Sequence, residues 1–163
     1  MNKRTKVVTQ GAVIAALYVV LTLISNALGL ASGAIQVRLS EALTILPAFI
    51  PAAVPGLFIG CLIANILCGS IIYDIIFGSL ATLIGALGTY YFGRNKWLAP
   101  IFPIAANTLI VPFVLRYAYG MQDAVWYMAL TVFIGEFITC GILGIILYKW
   151  LEKAKWLQGL KNY

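Results

Sequence analysis

The sequence predicts an all-α protein, a bundle of six transmembrane helices, and three observations predict it. Of 163 residues, 63% are hydrophobic and only 10% are charged, with a mean hydropathy of +0.99. That is too little charge to coat the surface of a soluble domain. Long uncharged runs separate the charges, and several exceed the roughly 18 apolar residues that mark a membrane span. The Lys and Arg residues fall between these runs and at the chain ends, where membrane topology puts them. The net charge of +6 is therefore no sign of a nucleic-acid partner.

The first span is expected over 7–30. The basic start MNKRTK runs into an apolar stretch longer than a signal-peptide core and without a clear cleavage site, so it reads as a retained helix. The next uncharged run, 42–73, would make a straight helix of about 48 Å against a hydrocarbon core of about 30 Å. Charge parity decides how it crosses. One crossing puts Arg94 and Lys96 outside, whereas two place Lys3, Arg4, Lys6, Arg94, Lys96, Lys149, Lys153, Lys155 and Lys161 in the cytoplasm, leaving Arg38 and Arg116 outside. The spans are accordingly 41–53 and 54–72. Pro47, Pro51 and Pro55 each remove a backbone donor, so the second helix is expected to be short, irregular and turned back around Pro51–Pro55. Lipid does not tolerate exposed irregular backbone; this segment belongs inside the protein or along a cavity.

The fourth span, 74–93, repeats small residues every four (Gly78, Thr82, Ala86; Ala81, Gly85, Thr89), which lets helices approach closely. The fifth spans 97–116 and the sixth 124–149, with both termini cytoplasmic. Residues 150–163 read as a cytoplasmic amphipathic tail on the inner leaflet. Trp97, Trp150 and Trp156, with Tyr90 and Tyr91, form an aromatic belt on that side.

Depth now gives the polar residues their meaning. Glu136 falls at the middle of the sixth span, where a carboxylate costs about 2.5–3.5 kcal/mol, so it is expected to face the interior with a partner. Asn107 lies in the middle of the fifth span and Asn65 in the outer half of the third. Gln36, Arg38, Glu41, Tyr73, Asp74, Arg116 and Tyr117 gather at the outer rim. Together they predict a pocket that opens outward and closes toward the cytoplasm. Each has a structural alternative: Asp74 as a helix cap, Arg38–Glu41 as a rim salt bridge, Asn65 and Asn107 as interhelical hydrogen bonds.

Other chemistry is thin. The chain contains no His, and Cys61, Cys68 and Cys140 lack metal spacing and read as packing residues. No nucleophile–base pair or metal cluster is visible, so neither an enzyme nor a bound cofactor is expected. No G-x-x-x-x-G-K-[ST] loop is present, so the chain does not hydrolyse ATP itself. One midplane carboxylate without internal repeats is lean for an autonomous carrier.

The stretches IQVRLSEALTILPAF, PGLFIGCLIANIL, DIIFGSLATLIGALGTYY and GEFITCGILG together resemble the QueT queuosine-precursor transporters. These are substrate-binding S components of energy-coupling factor (ECF) importers. The resemblance implies a six-helix S component that docks on a membrane scaffold subunit carrying two cytoplasmic ATPases. It implies docking through an A-x-x-x-A face on the first helix, matched here by Ala12 and Ala16. It also implies a 7-deazaguanine ligand, either 7-aminomethyl-7-deazaguanine or queuine. On chemical grounds Glu136 suits the base edge, Glu41 or Asp74 the amine, and Asn65 or Asn107 the remaining polar atoms, with Arg38 holding Glu41 or gating the rim. The rivals are an S component for another vitamin or nucleobase-like solute, a stand-alone ion-coupled carrier using Glu136, and a membrane scaffold without a ligand.

Overall fold

A computed structural model describes residues 2–30 and 35–154 of the chain. Among the described residues all regular structure is helical, in six segments. α1 spans Lys3–Ala27, a 3₁₀ helix follows over Leu39–Ala48, and α2 spans Ala53–Leu67. α3 spans Ile72–Phe92 and α4 Ile101–Tyr117. The last segment is one rod: α5 (Val125–Glu136), a π-helical stretch (Phe137–Leu143) and α6 (Gly144–Lys153). The tail beyond Ala154, with Lys155, Trp156 and Lys161, lies outside the described residues.

Three helices are long and apolar enough to cross a membrane: Arg4–Ala27, Ile72–Phe92 and Val125–Lys153. Leu39–Ala48, Ala53–Leu67 and Ile101–Tyr117 are apolar but shorter. At about 2.0 Å per residue the 3₁₀ helix is roughly 20 Å long, and α2 at about 1.5 Å per residue is roughly 22 Å. Large apolar side chains such as Val13, Leu17, Val20 and Ile24 cover the outside of α1. The bundle therefore turns oil outward and keeps its polar residues within, as lipid requires.

The irregular second helix sits at the centre. The 3₁₀ helix packs against α1, α2, α3, α6 and the π-helical stretch. It buries Ser40, Glu41, Thr44 and Ile45 along with Pro47, and the chain turns at 49–52 before α2 begins. Neighbouring side chains take over where helical backbone pairing is lost. Thr22 Oγ1 donates to Ser40 Oγ at 2.8 Å, and Leu39 N–H donates to Ser25 Oγ at 2.9 Å.

Close approach explains the small residues. A Cβ on Gly56 would lie 2.7 Å from the Gly11 carbonyl, and one on Gly60 would lie 2.9 Å from that of Ala15. The two helices touch backbone to backbone there. The small-residue surface of α1 thus divides: Gly11 and Ala15 face α2, while Ala12 and Ala16 stay exposed on another side.

The ends of the bundle differ in charge. The Phe49 ring meets Tyr148 in a tilted contact, centroids 4.6 Å apart, and the Tyr148 hydroxyl donates to the Arg94 carbonyl at 2.8 Å. That brings Arg94, Lys96 and Lys149 to the end where α1 begins, with Trp97 and Trp150 exposed beside them. Arg38, Asp74, Arg116 and Asp123 belong to the opposite end, near which the site lies.

Candidate functional site

Every bundle segment up to α5 contributes to one polar cluster. The 3₁₀ helix places Glu41 inward at its first turn, α3 supplies Asp74 and Thr82, α4 supplies Asn107, and α5 ends on Glu136. The extended residues 36–38 lie across the top. Gly135 makes that crossing possible, because a Cβ there would collide with the Gln36 carbonyl. These groups line a narrow cavity of about 30 Å³ with Gly78, Val111 and Val132. That is room for a water or two, against about 300–1,000 Å³ for a ligand pocket.

Glu136 is the best-satisfied acid. Asn107 Nδ2 donates to its Oε1 at 3.0 Å, and the Cys140 thiol donates to its Oε2 at 3.1 Å. Glu136 thus faces the interior with partners, and Asn107 is one of them. The π-helical stretch begins immediately after Glu136 and carries Cys140. Such insertions are rare and gather at functional sites.

Glu41 is 2% exposed and lies beside Glu136, deeper than the expected rim position. Tyr18 donates a hydrogen bond to Glu41 Oε1, whereas Glu41 Oε2 is buried without a hydrogen-bond partner. A carboxylate oxygen of each acid and the Cys140 sulfur all lie within 4.8 Å of one another. The Cys140 sulfur lies within hydrogen-bond reach of both Glu136 Oε2, at 3.1 Å, and the Glu41 carbonyl, at 3.3 Å.

Arg38 does not hold Glu41. Its guanidinium faces Asp74 Oδ2 at 4.0 Å and donates to Asn65 Oδ1 at 3.3 Å. Arg38 precedes the 3₁₀ helix in extended conformation (φ −102°, ψ 105°), so the three-residue spacing does not align it with Glu41. Asp74 also accepts the Tyr119 hydroxyl at 3.1 Å and makes no capping bond in α3. Desolvation first, and the Asp74 charge second, push the Tyr119 hydroxyl above its ordinary pKa, which keeps it a donor. Asn65 is buried behind this pair, reaching toward the Asp74 carbonyl at 3.5 Å.

Of the expected site residues, Arg38, Glu41, Asp74, Asn107 and Glu136 line the cavity, and Asn65 braces it. Tyr73 is 57% exposed and lies on an outer groove with Phe77 and Phe113. The expected rim residues Arg116 and Tyr117 also stand apart: Arg116 binds the carbonyls of Met121 and Asp123, and Tyr117 is exposed. Sequence reasoning missed Tyr18, Tyr119 and Thr82, and took Cys140 for packing. Tyr18, Thr22 and Ser25 lie on one face of α1, and that polar row in the apolar stretch after Gln10 was the available signal. A larger groove of about 810 Å³ runs between α4 and the α5–α6 rod, but its lining is apolar and faces outward.

Tyr18→Phe leaves both Glu41 oxygens without a donor in a buried setting. It is expected to destabilise the protein by about 1–3 kcal/mol in reversible unfolding in detergent. An unchanged stability would mean that this hydrogen bond does not hold Glu41.

Comparison with known proteins agrees with this architecture. The QueT transporter family matches residues 8–153. A relative from Lactococcus lactis subsp. cremoris (strain MG1363), the queuosine precursor transporter QueT, is 38% identical over 86 residues. The aligned stretch covers 52% of this chain and 50% of that relative, so the match spans about half the relative's length. No solved structure matches. The outward apolar helices, three of them long enough to cross a membrane, and the family match across nearly all of the described bundle together show that the chain belongs to the QueT transporter family.

Proposed function

We propose that the chain is the solute-binding S component of an ECF-type importer for a queuosine precursor, 7-aminomethyl-7-deazaguanine or queuine. The observation that carries this reading is the acid pair of buried Glu41 and half-buried Glu136, set beside Asn107 in a polar cavity. A guanine-like edge offers adjacent N–H donors to one carboxylate and a carbonyl to an amide, and an aminomethyl cation calls for a second carboxylate. Asp74 is already engaged by Arg38 and Tyr119. That leaves Glu41, with its unpartnered oxygen, for the amine, Glu136 for the base edge and Asn107 for the carbonyl. The similarity to the Lactococcus queuosine precursor transporter supports the solute class.

The six segments cross the membrane six times with both termini in the cytoplasm. The gathering of Arg94, Lys96 and Lys149 at the end where α1 starts supports that orientation. Work comes from partners, a membrane scaffold subunit and two cytoplasmic ATPases, since the sequence lacks a phosphate loop of its own. The exposed Ala12 and Ala16 are the docking face, which the division of the α1 surface supports: Gly11 and Ala15 are occupied by α2 and these two are not.

Two experiments test the proposal. The purified chain, titrated with deazaguanines, guanine and common vitamins, is expected to bind a deazaguanine most tightly. Tight binding of a vitamin instead would refute the solute assignment. Ala12→Leu with Ala16→Leu is expected to leave that binding unchanged but to abolish uptake in vesicles containing scaffold and ATPases. Proton-driven uptake by vesicles holding this chain alone would favour the ion-coupled carrier that uses Glu136.

A further inference from the structure

From the geometry of the buried acids we infer that solute binding is a cation-for-proton exchange: the empty site keeps one proton on Glu41, and an incoming monocation expels it. The inference rests on the solute-binding reading above and adds a stoichiometry to it.

The charges around the cavity set the argument. Arg38 is the cation, and Glu41, Asp74 and Glu136 are the acids lining the cavity. The other titratable groups nearby are neutral: Tyr18 from α1 and Cys140 from the π-helical stretch donate, and Cys61 from α2 accepts from Thr82. α4 presents Asn107, which does not titrate. One guanidinium against three carboxylates leaves two uncompensated negative charges in a buried space. Two carboxylates this close, in a cavity with room for no more than a water or two, do not readily both ionise, and a shared proton is the usual resolution.

The hydrogen bonds say where that proton sits. Both Glu136 oxygens receive donors, from Asn107 and Cys140, which fits an ionised acceptor. Asp74 is paired with Arg38 and receives Tyr119. Glu41 differs, because Oε1 receives Tyr18 while Oε2 is buried with no partner. An ionised oxygen left bare would carry the full desolvation penalty, whereas a protonated one carries much less. With the proton in place the cluster holds one net negative charge. When an ammonium group takes its place at Oε2, the proton goes to solvent and the net charge is unchanged. The exchange thus brings in a charged solute without adding charge to the membrane interior.

The test is calorimetric titration of the full chain in lipid nanodiscs with 7-aminomethyl-7-deazaguanine, at neutral pH in buffers of different ionisation enthalpy. The ligand's amine, of alkylamine type with a pKa near 10, stays charged throughout. The expected result is release of about one proton per ligand, and a Kd that falls about tenfold for each unit rise in pH while the site starts protonated. Binding without proton release, or with a pH-independent Kd, overturns the exchange and leaves the solute assignment standing. Failure to bind any deazaguanine overturns the assignment itself, and the exchange with it.

Discussion

For the proposed ligand 7-aminomethyl-7-deazaguanine, Glu136→Gln is expected to weaken binding by about 100-fold, or roughly 3 kcal/mol. The change is nearly isosteric, so the loss comes from chemistry. The carboxylate accepts from Asn107 and Cys140 on its protein side, and an amide would turn donors toward a ligand edge that itself donates. The donors left without a charged acceptor add to the cost. Stability is expected to move the other way or hold, because removing a carboxylate from the membrane interior relieves about 2.5–3.5 kcal/mol. Titration and thermal unfolding on the same preparation separate the effects. Affinity within a factor of about two of the native value would remove Glu136 from the site.

Gly135→Val is expected to have the second-largest effect, by a different route. Its Cβ has no space, since the Gln36 carbonyl already occupies that position. The segment carrying Gln36 and Arg38 must lift from α5, which separates Arg38 from Asp74 and Asn65. Overpacking of this kind costs about 1–3 kcal/mol, and the opened roof also costs binding. Gly141→Ala provides the control. A Cβ there meets the Phe137 ring at 3.4 Å, an ordinary contact. A lowered unfolding midpoint for Gly135→Val beside a native-like Gly141→Ala is the expected pattern; equal midpoints would show that the crossing at Gly135 is not tight.

What could be read from the sequence followed from isolation. Glu136 and Asn107 stand alone in apolar helices, so the cost of burying them forces a partner, and they prove to be each other's. The prolines between 47 and 55 announced a helix that could not run straight, and the 3₁₀ segment with its turn is the outcome. Tyr18 and Cys140 stayed hidden because both residue types are ordinary in apolar helices, and nothing local marks one that reaches a carboxylate. Arg38 and Glu41 misled for a backbone reason: side chains three apart meet within a helix, but Arg38 stands just before one. The π-helical stretch left no periodic trace, since its residues are as apolar as their neighbours.

The narrowness of the central cavity has a kinetic consequence. If the solute is the proposed bicyclic base, a space of about 30 Å³ cannot admit it without helices or the 36–38 segment giving way. The receptive form is then a minority species at rest, and apparent affinity equals intrinsic affinity scaled by its population. Capture is accordingly slower than diffusion would allow. Look-alike solutes that recover too little contact energy to hold the cleft ajar are turned away before their shape is ever tested.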